Sequence, residues 1–119
     1  MSRQSIEQLQ KIFQKFCEDR DWDQFHTPKE LAIGMVTESA ELLDIFRFKS
    51  NLEMKELFSN PKSKEHIDEE LADVFTFVLR FAQMNNIDLE QAFLSKLEKN
   101  NLKYPVDKVK GKSKKYNEY

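Results

Sequence analysis

The sequence predicts an all-α domain, a four-helix bundle-like protomer, and two observations carry this prediction. Hydrophobic residues recur three and four positions apart along most of the chain, which is the spacing of one helix face and not the alternation of a strand. Only two Gly and three Pro occur in 119 residues, and each Pro stands where a helix can begin or has just ended. We assign residues 1–104 to one helical domain and residues 105–119 to a basic C-terminal tail.

The first two helices are predicted from an apolar stripe and from a cap. One stripe predicts a helix from about residue 5 to residue 20, and it consists of Ile6, Leu9, Phe13 and Phe16. Thr27, Pro28 and Glu30 supply an N-cap, a proline at the first helical position and a capping-box glutamate. A second helix therefore begins at this point.

Two further helices begin at caps of the same kind. Asn60 and Pro61 open a third helix, whose periodic residues are Ile67, Leu71, Val74, Val78 and Phe81. Asp88 and Gln91 open a fourth, which fades near residues 100 and 101. We expect residues 50–60 to be a connector with one turn of helix, and the lysine-rich tail to be either a solvated terminus or a phosphate-facing flap.

Composition excludes several classes of protein. A net charge of −2 and a pI near 5.7 argue against nucleic-acid binding. No segment approaches the roughly 18 apolar residues of a membrane span, so we expect no membrane association and a cytoplasmic location. The single cysteine, Cys17, fits a reducing compartment, and we expect it to be a buried small hydrophobe and not a catalytic thiol.

Carboxylates occupy positions that helical periodicity assigns to the core. In the second helix Glu38 lies on the stripe of residues 31, 35, 38, 42 and 45, and Glu41 shares that face. In the third helix Glu70 interrupts the stripe of residues 67, 70, 74, 77 and 81, with Asp73 beside it. Two helices therefore each present an acidic pair spaced by three residues.

Four converging carboxylates must be protonated, paired with cations or bound to a metal ion. An all-oxygen cluster favours Mg²⁺ as the cofactor. A single glutamate of this kind could instead lie at the edge of its stripe and reach solvent. Di-iron and di-manganese bundles use Glu-x-x-His, which neither Glu38 nor Glu70 begins.

The segments Glu38-Ser39-Ala40-Glu41 and Glu70-Leu71-Ala72-Asp73 resemble the ExxE…ExxD signature of the MazG-like all-α nucleotide pyrophosphatases. The resemblance is closest to the dCTP pyrophosphatase branch and extends from about residue 13 to residue 118. Further matching segments are residues 20–22, 24–26, 48–50, 95–96 and 104–106.

The resemblance implies a homodimer or homotetramer that hydrolyses a nucleoside triphosphate to the monophosphate and pyrophosphate. It implies that Mg²⁺ is held by four catalytic carboxylates, namely Glu38, Glu41, Glu70 and Asp73. Water then attacks the α-phosphorus, with dCTP or a modified dCTP-like nucleotide as the expected substrate.

The resemblance also implies a nucleobase cage formed by Trp22, Phe48 and Phe77, with Phe replacing the family's Trp at position 48 and its Tyr at position 77. Phe13 stands where dCTP-specific members have a histidine, which affects the choice of base. His26 matches a family position near this pocket, although such a residue is more often a helix-entry residue. Without the family, the three cage aromatics would be ordinary core residues.

Phosphate contacts implied by the resemblance fall on Lys96, Asn100, Lys103 and Tyr104, with Lys49 as a weaker candidate. Lys96 by itself would be read as a solvent-exposed side chain. The alternative to an enzyme is a non-catalytic helical module whose acids bind metal or a basic partner, but it leaves the aromatic and phosphate-reading positions unexplained. Two distant glycines exclude a P-loop.

Overall fold

The computed structural model describes residues 2–113, and these form six α-helices and one 3₁₀ turn, with no strand among them. The helices are α1 (Ile6–Asp19), α2 (Pro28–Phe46), α3 (Asn51–Ser59), α4 (Pro61–Met84), α5 (Leu89–Lys103) and α6 (Val106–Val109), and the 3₁₀ turn is Asp23–Phe25. The all-α prediction is confirmed. Two short helices, α3 and α6, come in addition to the four that periodicity indicates.

Side-chain caps fix where the helices begin, as the sequence predicts. Thr27 Oγ1 accepts the Glu30 N–H at the start of α2, at 3.2 Å. Asn60 and Asp88 cap α4 and α5 in the same way. These bonds satisfy backbone donors that a helix cannot pair internally, so the boundaries follow from local chemistry.

Two expectations about helix extent were wrong. Residues 51–59 form a complete helix and not a connector with one turn, because Ser50 and Glu53 make a reciprocal capping box. α5 continues to Lys103, beyond the predicted fading at residue 100. Residues 106–109 of the predicted tail are helical, and the last six residues lie outside the described part of the chain.

The chain divides into two units, residues 1–86 and residues 87 onward. In the first unit, α4 packs against α1, α2 and α3. Its buried apolar residues are Cys17, Leu31, Ile67, Leu79 and Ala82. Cys17 is fully buried, which confirms its predicted role as a small hydrophobe.

The face of α4 that meets α2 is the stripe containing Glu70. Leu71, which was expected on the apolar face, is 55% exposed, whereas positions 70, 74, 77 and 81 are half-buried. Gly34 of α2 lies against Phe77 of α4, and a Cβ added at Gly34 would overlap that ring. Glu38 and Glu41 lie near Glu70, so numbering rises along α2 as it falls along α4, and the two helices are antiparallel.

The second unit contains α5 and α6. Backbone N–H of Tyr104 closes α5 by donating to the Asn100 carbonyl at 2.8 Å. Several large apolar side chains of this unit are exposed, including Phe93, Leu102 and Val106. No helix within residues 2–113 has the length and hydrophobicity of a membrane span.

Candidate functional site

Three carboxylates meet where α2 packs against α4. Glu38, Glu41 and Glu70 each offer one oxygen to a group in which all oxygens lie within 4.8 Å of one another. Glu38 and Glu70 are half-buried, whereas Glu41 is exposed. Helical spacing places the first two acids one turn apart on α2, and helix packing brings the third from α4.

Two oxygens of this group are buried without a partner. Within the described residues, neither Glu38 Oε2 nor Glu70 Oε2 has a hydrogen bond. A buried carboxylate oxygen without a donor costs free energy, because it loses hydration and gains nothing in return. The arrangement therefore leaves a place for a cation or a proton.

Burial and the close approach of these carboxylates also raise the pKa of Glu38 and of Glu70. Burial, followed by hydrogen bonding to and repulsion from Glu41, raises the pKa of Glu38 to about 7. Burial and Glu41 also raise the pKa of Glu70, while His66, whose Nδ1 lies 3.8 Å from Glu70 Oε1, acts in the opposite direction. Protons and a bound cation would therefore compete for the oxygens of Glu38 and Glu70.

Asp73 is the fourth predicted acid and is placed differently from the other three. It is exposed and lies outside the group defined by the 4.8 Å separation. Its charge nevertheless contributes to the raised pKa of both Glu38 and Glu70. Asp73 therefore lies close enough to add negative potential to the group.

The donor set fits a hard divalent cation. Each member of the group offers a carboxylate oxygen, with no nitrogen or sulfur ligand. Mg²⁺ prefers such ligands and usually keeps several waters, so one exposed and two half-buried carboxylates suit it. The described acids could thus hold a metal ion.

A second cluster of potential ligands is occupied by a cation from the protein itself. Cys17, Asp23 and His26 also offer atoms within 4.8 Å of one another. The guanidinium of Arg80, however, donates from Nε to His26 Nδ1 at 2.9 Å and from Nη2 to Asp23 Oδ1 at 2.5 Å. A metal ion beside this guanidinium would be repelled, so we assign no metal to this cluster.

Sequence reasoning did not single out Arg80. It is 2% exposed and belongs to the run Val78-Leu79-Arg80-Phe81-Ala82 of α4. The available signal was the charge itself, since an arginine within an apolar helical run needs buried partners. Those partners are distant in sequence, which is why they could not be named in advance.

The predicted cage residues occupy different environments. Trp22 is 42% exposed and meets Phe16 of α1 edge-on, with ring centroids 5.6 Å apart. Phe48 is 89% exposed, has a positive φ of 64° and lies beneath the Arg47 guanidinium. Phe77 is half-buried beside Gly34. In the described residues no ring contact joins Trp22 to Phe48 or Phe77.

Aromatic side chains of α1 surround His26 and Trp22. Phe13 stacks on Phe16 at 5.5 Å and lies nearly parallel to the His26 ring at 6.5 Å. The Arg20 guanidinium covers Phe16, 3.7 Å from its centroid. An aromatic side chain of α1 therefore lies beside His26 and another beside Trp22.

The predicted phosphate-binding residues lie in the second unit. Lys96 and Asn100 are one turn apart on α5, and Lys103 and Tyr104 follow at its end. Lys96 and Lys103 are exposed, whereas Asn100 and Tyr104 are half-buried. The helical spacing of residues 96, 100 and 103 puts them on one side of α5.

Lys49 lines a cavity of about 570 Å³ at the junction of α3 and α4. Lys62 and His66 line the same cavity, together with Glu53 and Glu56. His66 also approaches Glu70, so this cavity adjoins the carboxylate group. Lys49, the weaker of the predicted phosphate contacts, therefore lines a cavity next to the carboxylate group.

The chain is similar to a known protein family and to several characterised proteins. The model of the MazG-like family matches residues 33–119. The dCTP pyrophosphatase 1 of Mus musculus is 35% identical over 112 residues, which is 94% of this chain and 66% of that protein. The Homo sapiens protein of the same name is 32% identical over 114 residues, 96% of this chain and 67% of its own length.

A solved structure is similar over most of the fold. The crystal structure of a pyrophosphatase from Archaeoglobus fulgidus aligns with a TM-score of 0.79 and 36% identity. The alignment covers 88% of this chain and 96% of that one. This chain spans about two thirds of the length of the mammalian relatives and nearly all of the archaeal chain.

Proposed function

Because the chain belongs to the MazG-like family, we propose that it is a Mg²⁺-dependent nucleoside triphosphate pyrophosphohydrolase. The reaction converts a nucleoside triphosphate and water to the monophosphate and pyrophosphate. The observation that carries the proposal is the group of Glu38, Glu41 and Glu70, with its two buried oxygens that lack partners. The names of the mammalian and archaeal relatives support the same enzyme class.

Four acids hold the metal ion in this proposal, namely Glu38, Glu41, Glu70 and Asp73. Mg²⁺ bound there supplies charge neutralisation for the triphosphate and makes water easier to deprotonate. The geometry of the first three acids and the electrostatic effect of Asp73 on two of them support this assignment.

The chain's own acids handle the proton of the attacking water. A carboxylate of the group accepts this proton as the oxygen attacks the α-phosphorus, and pyrophosphate leaves. The raised pKa of Glu38 and Glu70 indicates a site where protons and cations compete for the same oxygens. Half-burial of both side chains limits the water that surrounds the reacting groups.

The substrate is proposed to be dCTP or a modified dCTP-like nucleotide. Trp22, Phe48 and Phe77 form the base-binding set with His26, and the exposed rings of Trp22 and Phe48 leave surface for a base to cover. The triphosphate is bound by Lys96, Asn100, Lys103 and Tyr104. The name dCTP pyrophosphatase 1 of the mammalian relatives supports this choice of base.

We also propose assembly into a homodimer or homotetramer. Apolar side chains remain exposed on the helices of the first unit, for example Val36 at 71%, Leu43 at 61% and Leu52 at 66%. Contact with a second copy of the chain would remove such side chains from water. Light scattering after size exclusion measures the mass, and a monomer at micromolar concentration would contradict the assembly.

The reaction is tested by product analysis across cytosine, 5-substituted cytosine, thymine, uracil and purine triphosphates. In ¹⁸O-labelled water, attack at the α-phosphorus places the label in the monophosphate and leaves pyrophosphate unlabelled. We expect this pattern only with Mg²⁺, and strongest for a cytosine nucleotide. Label in pyrophosphate, or release of single phosphate, would contradict the reaction, and no turnover of any nucleotide would favour the non-catalytic module.

A further inference from the structure

Arg80 is the buried charge of the first unit, and each of its guanidinium nitrogens has its own partner. Nε donates to His26 Nδ1 at 2.9 Å, Nη1 donates to Gln83 Oε1 at 2.8 Å, and Nη2 donates to Asp23 Oδ1 at 2.5 Å. Its exposure is 2%. A guanidinium that donates to three partners holds them in fixed relative positions, because the group is planar and rigid.

Two of the three partners belong to the short segment after α1. Asp23 begins the 3₁₀ turn and His26 follows its last residue, so Arg80 holds the turn at both ends. The turn is closed by backbone bonds, since Phe25 N–H donates to Trp22 O at 2.9 Å and His26 N–H donates to Asp23 O at 3.1 Å. Trp22 immediately precedes this turn.

The third partner connects the same guanidinium to α1. Gln83 accepts from Arg80 and donates through Nε2 to Gln10 O and to Gln14 Oε1, each at 3.2 Å. Gln10 Nε2 in turn donates to Leu79 O at 2.9 Å. A single polar network therefore ties α1, the turn and α4 together around Arg80.

The bond to His26 determines which of its nitrogens carries the proton. Arginine Nε can only donate, so Nδ1 of His26 must accept and the neutral ring carries its proton on Nε2. Burial, followed by the charge of Arg80, lowers the pKa of His26, although Asp23 opposes this shift. His26 is thus a neutral ring whose second nitrogen is a hydrogen-bond donor.

We propose that Arg80 is a positioning residue for nucleobase recognition. Through Asp23 and His26 it holds the turn that carries Trp22, and it fixes His26 as an Nε2–H donor. The part concerning nucleotides rests on the proposed function, whereas the held turn and the fixed tautomer do not. Arg80 acts through other residues and is not itself a catalytic group.

The test compares Arg80→Leu with a matched core variant, Leu79→Ala. Both change a buried side chain of α4, but of the two only the Arg80 side chain donates hydrogen bonds to Asp23 and His26. Trp22 is the sole tryptophan and His26 is one of two histidines, so tryptophan emission and ¹⁵N shifts of the imidazoles report on the turn without any assay of activity. Steady-state kinetics on the preferred nucleotide provide the third readout.

We expect Arg80→Leu to shift Trp22 emission, to give His26 a mixture of tautomers, and to raise KM about tenfold or more with kcat changed less than about threefold. Arg80→Lys should not restore these properties, since an ammonium group cannot reproduce the planar set of guanidinium donors. Leu79→Ala should lower stability and leave all three readouts close to wild type. A wild-type emission and a single Nε2–H tautomer in Arg80→Leu would overturn the proposal.

Further outcomes distinguish a failure of the positioning role of Arg80 from a failure of the proposed enzymatic function. If Leu79→Ala raised KM as much as Arg80→Leu, the effect would be loss of general packing and the proposal would fail. If Arg80→Leu did not fold, Asp23→Asn would decide, with an altered Trp22 emission supporting the positioning role and an unchanged one refuting it. If wild type hydrolysed no nucleotide, the proposed function would fail, and the two spectroscopic readouts alone would decide whether Arg80 holds the turn.

Discussion

Gly34 of α2 faces the ring of Phe77 of α4 with no room for a methyl group between them. Gly34 lies one turn before Glu38, and Phe77 lies one turn after Asp73. The distance between the two acidic pairs is therefore coupled to this close approach of the helices. Because Gly34 has no side chain, α2 and α4 can approach closely enough to bring the two acidic pairs together.

Gly34→Ala tests this coupling. Alanine is the better helix former by about 1 kcal/mol, but overlap with a packed ring costs about 1–3 kcal/mol, so we expect net destabilisation and weaker Mg²⁺ binding. Urea unfolding and Mg²⁺ titration measure the two effects. Ser39→Ala, an exposed change on the same helix, is the control, and a Gly34→Ala protein as stable as wild type would contradict the packing argument.

The stability of the metal-free protein should depend on pH through the carboxylate group. The pKa of Glu38 is about 7 in the folded state, against an ordinary value of 4.5, so the folded state binds the extra proton. This contribution to stability is complete below pH 4.5 and is lost as pH rises through 7. We expect the free energy of unfolding to fall between about pH 4.5 and 7, and saturating Mg²⁺ to abolish that fall.

Glu38→Gln supplies the control for this pH dependence. The lowered pKa of His26 gives an opposite slope below pH 6.5, its ordinary pKa, but it is common to both proteins and cancels in their difference. The variant should be more stable than wild type at pH 8 without metal, because a repelled charge is removed. Parallel stability curves for the two proteins would exclude Glu38 as the titrating group.

Much of the fold was predictable because its signals are local. The N-caps Thr27, Asn60 and Asp88 are readable from three or four residues each, and the structure shows all three in use. The box formed by Ser50 and Glu53 was equally local, yet α3 has a weak apolar stripe and was expected to be one turn only. Helix periodicity also predicts that Glu38 and Glu70 lie on packed faces, although it does not identify their neighbours.

The Arg80 network was beyond sequence reasoning, since its partners depend on tertiary packing. Asp23 and His26 lie more than 50 positions away from Arg80 along the chain. The apolar run around Arg80 indicates that its guanidinium needs buried partners, but it does not identify them. The relation between the α5 cations and the carboxylates likewise cannot be read from helical periodicity, so those cations remain a proposal.

Trp22→Ala should weaken nucleotide binding and reduce discrimination among bases. A stacking ring that is 42% exposed offers area to a base, and its loss should raise KM about tenfold with little change in the metal requirement. Kinetics on the panel of triphosphates measure this effect. Phe25→Ala, in the same turn and 59% exposed, is the matched control, and equal effects of both variants would remove Trp22 from the base site.

Lys96→Gln should raise KM for the triphosphate and make binding less sensitive to salt. A lysine that contacts phosphate contributes charge, so removing it reduces the electrostatic part of affinity. Lys99→Gln changes the same charge on the same helix and is the control. If both lysines had the same effect, net charge and not a specific contact would explain the result.

Turnover of dCTP by wild type, Glu38→Gln and Glu69→Gln, each with and without Mg²⁺, tests the account most directly. Glu69 is an exposed neighbour of Glu70 outside the carboxylate group, so its variant controls for the loss of one negative charge from α4. We expect pyrophosphate release from wild type and Glu69→Gln only with Mg²⁺, and a loss of at least about a thousandfold in Glu38→Gln. Release that continues in Glu38→Gln, or without any divalent cation, would contradict the proposed site.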